Sequence, residues 1–355
     1  MRLARDPLRE LASGVDSFYL SGRAALPQQL VDDLGAAREL ARESRVPVTL
    51  GLGECVDFRV QAGGFHRHTF RLDHPHGIVG VSASSHVPTF YVQIHAAFIH
   101  GVGVCEAIGW FTDLLEGLVG TVDWKTSRVD LFMDSQGWGL EAGDGPRFVC
   151  RPKQRITYEE DDVLTGFRLG SGKSGSALAR IYDKTAESRL KGTDWWPLKW
   201  GEGFVPDERV LRVEFQVGRQ VLNQVGVGNP ADCLAKAPAL WAYLTDSWLS
   251  YRVPTADLTR SRWPISPEWE CVQAAALRGE ALGLERVYAA QKAGSVRRLL
   301  PYVRGYLSSV GAHLATESLD DTLRRLGRLL AEDEEHTGVP FVARLQDKRA
   351  KLGLA

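Results

Sequence analysis

Three stretches of the sequence alternate polar and apolar residues in step, and their polar members are the side chains of phosphoryl chemistry. They are Ser127–Asp134, Ser176–Lys184 and Arg209–Val217. Side chains on a strand point to opposite faces in turn, so parity alone divides each stretch into two sides. Val129, Leu131, Met133, Ala179, Ile181, Leu211, Val213, Phe215 and Val217 form the apolar side. The other side carries Arg128, Asp130, Phe132 and Asp134, then Arg180, Tyr182 and Lys184, then Arg212, Glu214 and Gln216. If the three strands are neighbours, carboxylates, arginines, a lysine and a tyrosine share one face, and Glu187 lies close enough in the chain to join them. One reading is a solvated sheet face with cross-strand ion pairs, each of small energy. The other starts from Asp and Glu being poor strand formers. Converging carboxylates suit an oxygen-ligated Mg²⁺ or Mn²⁺, which polarises a phosphodiester and eases ionisation of a tyrosine hydroxyl.

The elements that must hold these residues are legible from periodicity and punctuation. Before residue 120, a helix is expected over Leu26–Arg45, and short strands over Val15–Leu20, Val46–Gly51, Val56–Ala62, His68–Leu72, Ile78–Ser82 and Thr89–His95. Gly, Asp and Pro separate these strands as an antiparallel meander, and Gly103–Gly120 is apolar enough for a helix packed across a sheet. Further strands are expected at Gly145–Cys150, Gln154–Tyr158 and Leu164–Leu169. From Pro230 onward the pattern is helical, at Pro230–Tyr251, Pro267–Arg278, Leu284–Ala293, Val296–Ala312, Ser318–Glu332 and Val339–Lys351. Strands first and helices last predict an α+β fold of antiparallel sheets with packed helices and a helical C-terminal region. The organisation expected is an N-terminal α+β part over 1–120, a core with the polar sheet over 121–260, and helices over 261–355.

The ordered strings Ser127-Arg128-Val129-Asp130-Leu131, Gly172-Lys173-Ser174-Gly175, Arg180-Ile181-Tyr182-Asp183-Lys184-Thr185-Ala186-Glu187 and Arg212-Val213-Glu214-Phe215 resemble the motifs of the replication initiation factor family. These are the Rep_trans-type rolling-circle initiators of plasmids and filamentous phages, with the related relaxases of integrative elements. The resemblance covers about 120–220 and weakly the tail from Thr337 to Lys348. It implies an endonuclease that nicks and rejoins DNA to begin rolling-circle replication or transfer. In that chemistry a tyrosine attacks one strand, forms a 5′-phosphotyrosyl link and frees a 3′-hydroxyl. Carried over, Asp130, Glu187 and Glu214 are the ligands of a Mg²⁺ or Mn²⁺ ion, and Arg180, Lys184 and Arg212 hold phosphate. Lys184 also stands as a catalytic candidate, and Arg128 and Lys173 as DNA contacts. A helicase is the expected partner, and a homodimer is compatible. Shortly after the Arg-x-Glu strand, where plasmid members place the nucleophile, this chain has Leu222-Asn223-Gln224-Val225. Tyr243, Tyr251 and Tyr182 are the candidates that remain, and the alternative is a catalytically silent DNA-binding relative.

Other signals bear on the same question. Trp195, Trp196 and Trp200 sit among Arg189, Lys191 and Lys199, which suits stacking on unpaired bases or a packed cover over the sheet. His74-Pro75-His76 could ligate a metal, but reads more naturally as a hairpin turn, and His66-Arg67-His68 puts two imidazoles on one strand side. Gly170–Gly175 lacks the glycine spacing of an ATP-binding loop and leads into a strand. Arg324, Arg325 and Arg328 decorate a C-terminal helix.

Composition sets the bounds. Among 355 residues, 43 Lys and Arg face 44 Asp and Glu, so no polybasic coat marks the chain and any DNA binding must be local. Five dispersed cysteines with no Cys-x-x-Cys pair argue against a zinc ribbon or a disulfide framework and fit a reducing compartment. No apolar run has the length of a signal peptide or a membrane span, so a cytoplasmic protein without membrane association is expected.

Overall fold

The computed structural model describes residues 8–53, 56–161, 163–172, 176–277, 296–338 and 340–352. Two compact units divide the chain, Met1–Glu285 and Arg286–Ala355.

The first unit is organised by a sheet that, among the described residues, has eleven antiparallel strands. In chain order they are β1 (Arg9–Arg23), β2 (Val48–Leu52), β3 (Val56–Val60), β4 (Phe70–His74), β5 (Gly77–Val81), β6 (Phe90–Ile94), β7 (Asp123–Gln136), then, after β8 (Phe148–Cys150), β9 (Arg155–Glu160), β10 (Val163–Leu169), β11 (Ala177–Asp183) and β12 (Leu211–Gly218). The spatial order is β2-β3-β4-β5-β6-β1-β7-β12-β11-β10-β9. The expected meander is β2 to β6. The long β1 and β7 then pair along most of their length, with Phe18 opposite Val129 and Tyr19 opposite Arg128, and join the two strand sets. The expected division at residue 120 is therefore crossed by a continuous ladder. The fold is α+β, with antiparallel sheet, packed helices and a helical C-terminal region.

One face of the sheet is mainly apolar from β2 to β10. Val60, Leu72, Val79, Val92, Leu20, Val129, Val213 and Ile181 are buried on it, as the alternation requires. Helices α1 (Gln28–Ser44), α2 (Ala96–Val102) and α3 (Val104–Val119) supply Leu34, Ala37, Ile99, Phe111 and Leu115 to the same core. Burying each of the Leu, Ile and Phe side chains among them contributes about 1.5–3 kcal/mol. The opposite face carries the polar parity. One end of it is roofed by a second, smaller core, in which Trp196 and Trp200 of α5 (Trp196–Trp200), following α4 (Lys184–Lys191), close over Phe132.

The remaining helices of this unit are α6 (Arg219–Gln224), α7 (Pro230–Tyr243) and α8 (Pro267–Gln273). The helix expected over Pro230–Tyr251 is shorter than its apolar pattern. It ends through a π-turn at Leu244–Trp248, and Leu249–Tyr251 becomes β13, paired with β8. Leu244, Trp248 and Tyr251 keep helical spacing to the end of that span, and the pairing of β13 with β8 overrides it. The expected strand at Gly145–Cys150 is a short 3₁₀ turn over Ala142–Arg147 that leads into β8.

The second unit contains α9 (Val296–His313), α10 (Leu319–Thr337) and α11 (Phe341–Leu352). Ser318 caps α10 by accepting from Asp321 N, and Asp320 and Asp321 in its first turn complement the helix dipole. The helix expected over Leu284–Ala293 lies outside the described residues. No described helix is long and apolar enough to cross a membrane.

Candidate functional site

The three alternating stretches are adjacent strands, in the order β7-β12-β11. Arg180 lies opposite Glu214 and Tyr182 opposite Arg212, while Glu214 lies opposite Phe132 and Arg212 opposite Asp134. Their polar sides meet on the open face and line a cavity of about 780 Å³ that includes Arg128, Asp130, Arg180, Tyr182, Lys184 and Glu214.

At its centre the Tyr182 hydroxyl donates to Glu214 Oε2 at 2.9 Å. The other carboxylate oxygen, Oε1, accepts from Arg180 Nη1, and Arg180 Nη2 donates to Gln216 Oε1 at 3.0 Å. Gly166, directly across from Tyr182 on β10, keeps this arrangement open. A Cβ there would lie 2.7 Å from both the Tyr182 Cβ and the Ile181 carbonyl oxygen. Burial, with the Glu214 charge beside it, pushes the Tyr182 phenol well above its ordinary pKa. The hydroxyl is thus a protonated donor whose ionisation needs a proton acceptor, and a carboxylate stands at hydrogen-bond distance.

Next to this pair, Arg128 Nε donates to Asp130 Oδ1 at 2.7 Å and its Nη2 donates to Oδ2. Asp130 is fully buried, and that burial pushes its carboxyl up to about 7, against the pull of the Arg128 guanidinium. At the far side Lys184 Nζ donates to Glu187 Oε2 at 2.7 Å, and Lys191 pairs with the other oxygen. Burial and then Arg212 lower the Lys184 ammonium pKa. Burial works to raise Glu187, but Lys184 and Lys191 hold it below the usual carboxylate range.

The expected trio of Asp130, Glu187 and Glu214 therefore lines one cavity with each acid ion-paired, Glu187 to two lysines. Each of its six carboxylate oxygens already accepts from, or pairs with, a protein donor. Among the described residues, no three His, Cys, Asp or Glu side chains are grouped to hold a metal ion. A divalent ion at these acids would compete with the cation already held by each of them.

Several expected contacts lie elsewhere. Arg212 is fully buried rather than facing phosphate. Its Nε and Nη2 bond Asp134 at 2.6 and 2.8 Å, its Nη1 bonds Asp16 at 2.7 Å, and its guanidinium stacks between Phe132 and Trp196. It underpins the floor of the cavity. Trp196 is buried in the cover above Arg212 instead of offering a free stacking face, whereas Trp195 is half-buried at the cavity wall. Tyr243 and Tyr251 are not near the carboxylates. Both belong to the main core beneath the opposite face, Tyr251 lying against Trp138 and Phe148 with Arg147 over its ring. Of the three tyrosines, Tyr182 alone lines the cavity. Lys173 lies outside the described residues. The His74-Pro75-His76 run is the turn between β4 and β5.

Two contributors escape the sequence patterns. Asp16 on β1 lies at the cavity, bonded to Arg212 and to His100 Nε2. Burial works to raise its carboxyl, but Arg212, His100 and Lys184 hold it well below the usual range. Its partner is 196 residues away in sequence, so no local signal announces it. Gly166 could be noticed only as a glycine interrupting a strand pattern, a mark of close approach.

No family model matches the chain, and no curated protein matches its sequence. One solved structure that resembles it is described as a rolling circle replication initiator protein from Geobacillus stearothermophilus. That likeness has a TM-score of 0.44 and 15% identity, covering 75% of this chain and 97% of that one. At that distance no residue role passes from one chain to the other.

Proposed function

We propose that the protein nicks and rejoins single-stranded DNA with Tyr182 as nucleophile and Glu214 as the group that takes its proton. The observation that carries this reading is the 2.9 Å hydrogen bond from the Tyr182 hydroxyl to Glu214 inside an open cavity edged by arginines. As the Tyr182 Oη–phosphorus bond forms and the bond from phosphorus to the 3′ oxygen breaks, the phenolic proton passes to Glu214. Lys184, an ammonium made more acidic by its burial, supplies a proton to the departing 3′ oxygen. Arg180 and Arg128, both reaching the cavity from its rim, face the phosphate oxygens. The order of the four sequence motifs, similar to that of the replication initiation factor family, supports the same reading and suggests initiation of rolling-circle replication or DNA transfer.

The test is a covalent adduct. A 5′-phosphotyrosyl bond leaves the protein on the 3′ fragment, so a pool of single-stranded oligonucleotides labelled at the 3′ end should give a denaturation-resistant labelled band. The band should vanish in Tyr182→Phe and persist in Tyr243→Phe and Tyr251→Phe, with arms containing Mn²⁺ or a chelator reporting any demand for a divalent ion. A second reading, a catalytically silent DNA-binding relative, is favoured by one observation: every acid of the site is engaged by a cation. Retained oligonucleotide binding with no adduct under any of these conditions would select it.

A further inference from the structure

The open face does not end at the cavity. Following the polar parity from Arg128 across β1 and β6, the residues on that side are Tyr19, opposite Arg128, and then Tyr91, opposite both Ser21 and Gly80. Arg128 joins the two regions physically. Its side chain bonds Asp130 at the cavity while its guanidinium lies 4.7 Å from the centre of the Tyr19 ring, and Tyr19 is 6.0 Å from Tyr91.

The connection between β3 and β4 folds back onto this surface. Gly80 leaves a gap in the sheet face, and Phe65 and His68 fill it, so close that a Cβ at Gly80 would lie 3.0 Å from His68 and 3.2 Å from Phe65. Gly64 permits the fold-back, since a Cβ there would lie 2.4 Å from the His68 carbonyl oxygen. His66 at the tip adopts φ +52°, a left-handed conformation that a non-glycine residue holds only when its surroundings impose it. The outcome is a half-buried aromatic group: the Phe65 and His66 rings are 4.5 Å apart, and each lies within 6 Å of Tyr91. Arg71 stands over Phe65 at 5.7 Å, and Arg67 is exposed beside it. The helices α1 and α3 are packed on the opposite, apolar face.

We infer that this aromatic and arginine surface around Phe65, His66 and Tyr91 is a second binding area for single-stranded DNA, continuous through Arg128 and Tyr19 with the cavity at Tyr182. The inference rests on the reading of the cavity as a DNA site. Unpaired bases present apolar faces that stack on aromatic rings, and arginines beside them neutralise phosphate. Paired bases have no such faces free, so the surface selects single strand over duplex. Arg71 is paired with Asp73 and Arg128 with Asp130, so the exposed Arg67 and the continuity with the cavity are what point to the strand flanking the nicked phosphodiester as its occupant.

The experiment compares single-stranded oligonucleotides of about 4 and about 16 nucleotides, the range one such surface occupies, with a duplex control, on the full-length protein. The double variant Phe65→Ala/His66→Ala should weaken binding of the long single strand roughly 5- to 100-fold. It should leave the short oligonucleotide, and the adduct formed with it at Tyr182, unchanged. Phe65→Trp, which keeps a ring, should bind as the wild type, and Phe65→Leu, which keeps the packing over Gly80, should show the loss without unfolding. Equal binding of the long strand by wild type, Phe65→Leu and the double variant overturns the inference, as does an equal loss on duplex. Absence of the Tyr182 adduct with length-dependent binding intact would leave this surface standing and remove the nicking reading alone.

Discussion

Glu214→Gln is the most informative single change at this site. The substitution keeps the shape of the side chain and leaves an oxygen able to accept from the Tyr182 hydroxyl, but an amide cannot take the proton. A positioned general base contributes about 10²- to 10⁴-fold, so adduct formation should slow by that factor, or about 2.7–5.4 kcal/mol in the barrier. The fold should tolerate it. Arg180, the ion-pair partner, is 36% exposed and can turn to solvent, while the buried Glu214 side chain becomes neutral, so no buried charge is left without a partner. The Glu214 charge is also one of the causes that raise the Tyr182 phenol, after burial itself. Removing it brings the phenol down, so part of the lost rate should return as the pH is raised. The assay is the initial rate of labelled adduct from about pH 6 to pH 10, with a thermal melt as control. A variant that matches the wild-type rate at neutral pH, or one that loses activity only because its melting temperature collapses, would refute the assignment of Glu214 as proton acceptor.

Other outcomes follow from the same geometry. Arg212→Ala strands the buried Asp134 and Asp16 carboxylates without their shared guanidinium and should destabilise the protein by about 3–5 kcal/mol in urea unfolding. Gly166→Ala forces a methyl against the Ile181 carbonyl and Tyr182, costing about 1–3 kcal/mol and lowering adduct yield by more than the stability loss explains. Asp130, raised to about 7 in the folded protein, keeps a proton that the unfolded chain releases near pH 4. Its contribution is therefore full below pH 4 and lost as the pH climbs towards 7, and Asp130→Asn should flatten the fall in unfolding free energy over that window. Asp16 has the opposite sign. Its carboxyl is depressed when folded, so its stabilisation is present above the ordinary carboxylate pKa and lost as acid protonates it, and Asp16→Asn should remove part of the acid limb of the unfolding curve.

Much of the fold was legible because alternation is a local property. The patterns of β2 to β6 and of β9 to β12 specify an antiparallel α+β chain, and the parity of Ser127–Asp134, Ser176–Lys184 and Arg209–Val217 told which side chains must share a face if the strands were neighbours. The helix over Pro230–Tyr251 failed in its last turns for the complementary reason. Leu244, Trp248 and Tyr251 recur at helical spacing, so the pattern continues the helix, and only the pairing of Leu249–Tyr251 with β8 overrides it.

What the sequence by itself determined is therefore the chemistry on offer and its sidedness: arginines, acids, a lysine and Tyr182 on one surface, aliphatic residues on the other. Which of them meet was decided by tertiary structure. Tyr182 reaches Glu214 across 32 residues, and Arg212 finds Asp134 across 78 and Asp16 across 196. Parity placed Arg212 on the active side but could not show that Trp196 would roof it over, and equal periodicity could not show that Tyr243 and Tyr251 would lie beneath the sheet. Periodicity orients a side chain relative to its own backbone, whereas its exposure and partners depend on strand order and on what covers each face, and those arise only when distant segments pack.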